Sequence, residues 1–106
     1  MAKAEIFPGN CGFTTTVETT LVDDVCKVRL VSECKAIQKL AQELTEVNPY
    51  QEISFRRGNT PTILQAGAKF CTHAACPVPV GIIKAVELEA GLALPTDVTI
   101  KLTKTE

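Results

Sequence analysis

The apolar residues of this chain change their period at Ser32, and that change restricts the fold more than any other feature. Before it, Cys26, Val28 and Leu30 alternate with Lys27 and Arg29, the period-two pattern of a strand with one buried face. After it, Ile37, Leu40, Ala41, Leu44 and Val47 recur at helical spacing until Asn48-Pro49 ends the pattern. Ser32 is a suitable N-cap for that helix, because its hydroxyl can accept from a backbone N–H of the first turn. A strand that runs directly into an amphipathic helix buries both apolar faces by packing one on the other, so the chain is expected to be α+β.

The rest of the chain extends the same reading. Residues 3–7 form a short strand stopped by Pro8-Gly9, and residues 13–21, rich in Thr and Val, make a hairpin with residues 25–31 around an Asp23-Asp24 turn. Residues 51–55 read as a further strand and Arg57-Gly58-Asn59 as a turn. Thr60-Pro61 then offers an N-cap and a proline at the first helical position of a short helix over 61–70, which Gly67 weakens. Pro79 opens another helix with Ile82, Ile83, Val86 and Ala90 on one side and Gly91 as its C-terminal cap. After Pro95, Val98, Ile100 and Leu102 alternate with Thr99 and Lys101 as a final half-buried strand. The expectation is one α+β domain over residues 1–106. Its mostly antiparallel sheet takes strands from both chain ends and carries two main helices on one face.

With 106 residues, 45% of them hydrophobic, the chain can bury a core without covalent staples, so its five cysteines need another explanation. The N-terminal residues lack the apolar stretch of a signal peptide, and no run approaches the length of a membrane span. A cytoplasmic location is therefore expected, where cysteines stay reduced; an odd count also argues against a closed disulfide framework. A net charge of -1, with no basic cluster longer than Arg56-Arg57, excludes the electrostatic footprint of a nucleic-acid-binding protein.

The thiols differ in setting. Cys26 shares a strand face with Val28 and Leu30 and reads as a small core hydrophobe. Cys34 falls in the first turn of the helix after Ser32, where unpaired N–H groups and the positive end of the helix dipole favour thiolate, but it is also on the side a core cysteine would occupy. Cys11 lies in a loop between Gly9 and Gly12 that lets the backbone approach a ligand closely. Cys76 directly precedes Pro77-Val78-Pro79, which sets its sulfur at a helix N-terminus. His73, the single histidine, stands three residues earlier, and Cys71 either joins the site or ends the preceding helix in the core. Cys11, Cys34 and Cys76 with one of His73 or Cys71 supply four soft ligands, which suits tetrahedral zinc or an iron–sulfur cluster, although no paired Cys-x-x-Cys is present.

Two resemblances bear on the same residues. Cys76-Pro77-Val78-Pro79 followed by Gly81-Ile82-Ile83-Lys84 is similar to the Cys-Pro-x-Pro helix start of TusA-type sulfur carriers, over about the last third of the chain; it implies a Cys76 that accepts persulfide sulfur. Nearly the whole chain resembles a family of small uncharacterised proteins associated with anaerobic microbes. The matching stretches are residues 8–13, Ser32-Glu33-Cys34, residues 73–79, residues 81–84 and Gly91-Leu92-Ala93-Leu94-Pro95. That resemblance implies Cys11, Cys34, His73 and Cys76 as the site residues, leaves out Cys26 and Cys71, and its anaerobic setting suits an oxygen-sensitive cluster. The expected function is thus a small metal- or iron–sulfur-binding domain, with Cys11, Cys34, His73 and Cys76 as ligands. A thiol enzyme, redox protein or sulfur carrier acting through Cys76, and an interaction domain whose cysteines only pack, are the other readings. A redox or sulfur-transfer protein partner and homo-oligomerisation are compatible with all three.

Overall fold

A computed structural model describes residues 1–55 and 58–105. Four strands form one antiparallel sheet in the order β1 (Ala2–Ile6), β2 (Thr15–Val22), β3 (Val25–Ser32) and β4 (Glu46–Val47). The β2–β3 hairpin closes through Asp23-Asp24, with Asp23 at φ 58°, the left-handed conformation that a two-residue hairpin turn needs. The register pairs Val17 with Leu30 and Thr19 with Val28 on β3, and with Ala4 and Ala2 on β1, so these side chains share one face. Helices α1 (Lys35–Glu43), α3 (Thr62–Phe70) and α4 (Val78–Glu89) cover that face, and a single turn, α2 (Pro49–Glu52), lies between α1 and α3. Val17, Val28, Ile37, Leu40, Ile63, Ile82 and Val86 meet in the core between sheet and helices. The fold is α+β, as the change of period predicts.

Four expectations are corrected. Helix α1 stops at Glu43 rather than at Asn48-Pro49, because the edge of β3 captures the chain: Val28 N–H donates to Thr45 O at 2.9 Å, and Val47 pairs with Cys26. Ser32 is not its N-cap. Cys34 holds that position, and the Ser32 hydroxyl accepts from Cys34 N–H at 3.1 Å instead. Residues 51–55 are not a strand. Asn48 Oδ1 accepts from Tyr50 N–H at 3.0 Å and Pro49 presets the helical φ, so the chain makes a helical turn there. Residues 98–102 do not join the sheet; Val98, Ile100 and Leu102 are 61%, 75% and 90% exposed. Alternation specifies a strand only where a neighbouring edge accepts its hydrogen bonds, and this segment has no ladder partner in the sheet, although Val98 and Thr99 line a groove beside β1. Of the expected turn at Arg57-Gly58-Asn59, Arg57 lies outside the described residues.

Helix α3 begins one residue later than the Thr60-Pro61 signal suggests, and its cap comes from elsewhere. Pro61 occupies the N-cap without a side-chain bond, while the carboxylate of Glu52, 2% exposed, accepts from Ile63 N–H at 2.7 Å and Thr62 N–H at 3.3 Å. An anion at the positive end of the helix both meets orphan donors and offsets the dipole. Helix α4 starts at Val78 with Pro79 in its first turn and ends as expected. Gly91 adopts φ 76°, and Leu92 N–H returns to Glu87 O at 2.9 Å. No helix among the described residues is long and apolar enough to cross a membrane.

Candidate functional site

The register sets one end of the sheet apart. Ile6, Thr15 and Ser32 form a row across β1, β2 and β3 on the helix-covered face. Two residues beyond Ser32 comes Cys34, at the N-cap of α1. The loop carrying Cys11 leaves from Ile6 and returns at Thr15. Ile6 also packs against Gly81, where an added Cβ would lie 2.7 Å from Ile6 Cγ1, so the first turns of α4 rest on this same end. Cys76 enters α4 here, two residues before Val78.

A second close approach brings in Cys71. A Cβ on Gly67 would stand 2.7 Å from Pro79 Cγ and 3.1 Å from Pro79 Cβ, so α3 and α4 touch where one has no side chain and the other a proline ring. Cys71 is the C-cap of α3, its N–H donating to Gly67 O at 2.8 Å, one turn beyond the contact. Cys76 lies three residues before Pro79, and its N–H closes a turn onto His73 O at 3.1 Å. The two thiols therefore emerge side by side from the ends of touching helices.

The electrostatics reflect that proximity. Burial pushes the Cys71 thiol up to about 11, and the neighbouring Cys76, through its charge and a hydrogen bond, and then Cys34, through its charge, push in the same direction. Cys71 thus stays protonated at neutral pH. Cys34, Cys71 and Cys76 are all half-buried and pack against the rim of the core. Thr15, in the sheet row that ends at this site, is fully buried, and its hydroxyl has no hydrogen-bond partner among the described residues.

The four residues expected as ligands therefore divide. Cys34 and Cys76 come together around Cys71, from three separate segments of chain. Cys11 is exposed in a turn closed by Gly12 N–H on Gly9 O at 3.0 Å, at the same end of the sheet. His73 is exposed on the loop between α3 and α4. Among the described residues, no three His, Cys, Asp or Glu side chains already stand in an arrangement that could hold a metal ion. Cys26 is fully buried in the core, where burial, the charge of Glu89 and the absence of access make its thiol inert. Cys71 is the thiol that sequence leaves undecided. The readable signal is its position four residues after Gly67, which places both on one helical face.

Comparison with known proteins adds a family and no activity. One family model, described as a family of unknown function (DUF6951), matches residues 2–102. Neither a curated protein nor a solved structure matches the chain.

Proposed function

The chain belongs to that family of unknown function, and we propose that it is a small thiol-based metal-binding domain that takes zinc or an iron–sulfur cluster. One observation carries the reading: Cys34, Cys71 and Cys76, from the start of α1, the end of α3 and the approach to α4, meet in one half-buried patch. Soft ligands converging from separate segments are what a thiophilic ion or cluster requires. The donors fit such a group by chemistry. Three sulfurs are half-buried, a fourth ligand is available from the loops carrying Cys11 and His73, and the unpartnered hydroxyl of Thr15 lies in the adjoining row of the sheet.

Binding has two local requirements. The side chains must turn from neighbours into a coordination set, which the exposed Cys11 turn and the loop over residues 72–75 can do without disturbing the core. Cys71, if it ligates, must release its proton, so uptake of metal liberates acid and strengthens as pH rises. A metal held across three segments would also tie α1, α3 and α4 together, which makes loss of metal a loss of stability. A reduced compartment such as the cytoplasm suits five free thiols.

Purification without oxygen, followed by metal and acid-labile sulfide analysis and an absorption spectrum, tests the reading. Iron with sulfide identifies a cluster and zinc a closed structural site; a metal-free protein that takes up neither on reconstitution refutes it. The contact between Cys71 and Cys76 favours a second reading, a carrier of sulfur resembling the TusA type at Cys-Pro-x-Pro. Mass spectrometry of metal-free protein exposed to a low-molecular-weight persulfide distinguishes this reading, since it requires one added sulfur on Cys76 and none on Cys26.

A further inference from the structure

Cys71 and Cys76 stand at the two ends of a short loop, residues 72–75, whose side chains are all exposed. The helices on either side fix those ends. Gly67 in α3 lets the Pro79 ring of α4 into contact, and the thiols lie one turn beyond that glycine and three residues before that proline. Each backbone is tied back as well, Cys71 N–H to Gly67 O at 2.8 Å and Cys76 N–H to His73 O at 3.1 Å. Cys76 acts on the Cys71 thiol through both its charge and a hydrogen bond, whereas Cys34 acts through charge alone, so Cys76 is the nearer neighbour. We propose that Cys71 and Cys76 are a redox pair, which closes into a disulfide by exchange with a low-molecular-weight disulfide and reopens when small thiols are in excess.

The exchange takes two displacements. The Cys76 thiolate attacks one sulfur of the small disulfide, whose S–S bond breaks and releases one thiolate, leaving Cys76 as a mixed disulfide. Cys71 then loses its proton to solvent, and its sulfur attacks Sγ of Cys76, breaking the mixed disulfide and releasing the second thiolate. The two cysteines give up two electrons and two protons, and the small disulfide leaves as two thiols. The order follows from where each thiol sits. Cys76 enters α4 at its positive end, which favours thiolate, while Cys71 caps the negative end of α3, which disfavours it. Capping Cys76 also removes the neighbouring charge that opposes ionisation of Cys71.

Closure asks little of the rest of the fold, because the residues between the two cysteines are solvent-exposed and outside the core. A ring this short constrains the unfolded chain little, so the bond adds little stability and stays open to reduction. For metal the consequence rests on the reading proposed above. The disulfide withdraws two of the three converging sulfurs, so oxidation expels the ion and reduction readmits it.

The test exposes the reduced, metal-free chain to oxidised glutathione at increasing ratios to glutathione, quenches with acid, and reads intact mass and disulfide-mapped peptides. The expected product is lighter by about 2 Da, carries one bridge, Cys71–Cys76, and is unmodified at Cys26. Cys71→Ser and Cys71→Ala should each stop after the first displacement and retain glutathione on Cys76. A parent that accumulates the Cys76 adduct without closing, a bridge made through Cys34 or Cys11 instead, or a Cys71→Ser protein that loses the adduct as fast as the parent would each overturn the pair. Metal content measured on the same samples keeps the two readings apart. A reduced chain that binds zinc or iron and keeps it once the bridge has formed overturns the gating and leaves metal binding standing; a chain that forms the bridge but takes up no metal supports the pair and refutes metal binding.

Discussion

Replacing Gly67 with alanine separates two effects of opposite sign. In an isolated helix the change stabilises by about 1 kcal/mol, because alanine loses less backbone entropy. Here the new methyl would stand 2.7 Å from Pro79 Cγ and 3.1 Å from its Cβ. Carbon atoms in contact prefer about 3.5–4.0 Å, so α3 and α4 must separate by roughly 1 Å at their crossing. Pro79 cannot swing aside, since it is buried and its ring is tied to the backbone of the first turn of α4. Overpacking of this kind costs about 1–3 kcal/mol. The net expectation is a loss of about 1 kcal/mol, read as a lower urea midpoint at unchanged slope. A second readout follows from the position of the contact: a trivalent arsenical that bridges two close thiols should bind Cys71 and Cys76 more weakly in the variant. A Gly67→Ala protein about 1 kcal/mol more stable than the parent, with undiminished arsenical binding, refutes the argument that this glycine exists for helix contact.

Three further outcomes are expected. Glu52→Ala removes the acceptor from two N–H groups at the start of α3 and should cost about 3 kcal/mol by urea unfolding, whereas Glu52→Gln, which keeps an oxygen there, should cost about 1 kcal/mol. Glu89 is held below the usual carboxylate range by the Leu21 N–H, and by the Met1 amino group at 3.4 Å, against the opposing effect of burial. A depressed folded value means the stabilisation is present above the unfolded value of 4.5 and is lost as pH falls through the folded one, so Glu89→Gln should flatten the acid side of a stability–pH curve. If the site holds metal, Cys34→Ser should lower metal content and thermal stability together, while Cys26→Ala should leave metal content unchanged, as measured by elemental analysis; equal retention in both variants contradicts the ligand assignment.

Much of the fold was legible because its signals are local. Alternation around Asp23-Asp24 specifies a hairpin whose register follows from a two-residue turn. The spacing of Ile37, Leu40 and Leu44 specifies the buried face of α1, and Pro79 and Gly91 mark the ends of α4. The misreadings share a cause as well. Val47 continues the helical spacing of α1, yet pairing with Cys26 on the open edge of β3 pulls it into a strand. Ser32 has the right chemistry for an N-cap, but the chain turns two residues later.

The site was partly legible for the same reason. Cys-Pro-Val-Pro announces a thiol at a helix entrance wherever the helix packs, and the prolines make that a local certainty. That Cys76 has Cys71 and Cys34 for neighbours is not written near any of them. It follows from Gly67 meeting Pro79, from Gly81 resting on Ile6, and from Ile6, Thr15 and Ser32 lining up across the sheet.

The sequence by itself determined the α+β class, the hairpin, and the positions at which thiols meet helix ends, because period, turn and cap chemistry act within a few residues. Only the tertiary structure decided which thiols are neighbours, that Glu52 rather than Thr60 caps α3, and that residues 98–102 stay outside their own sheet. Each of these depends on a contact between distant segments, and such contacts are set by how closely backbones can approach and which edges remain open.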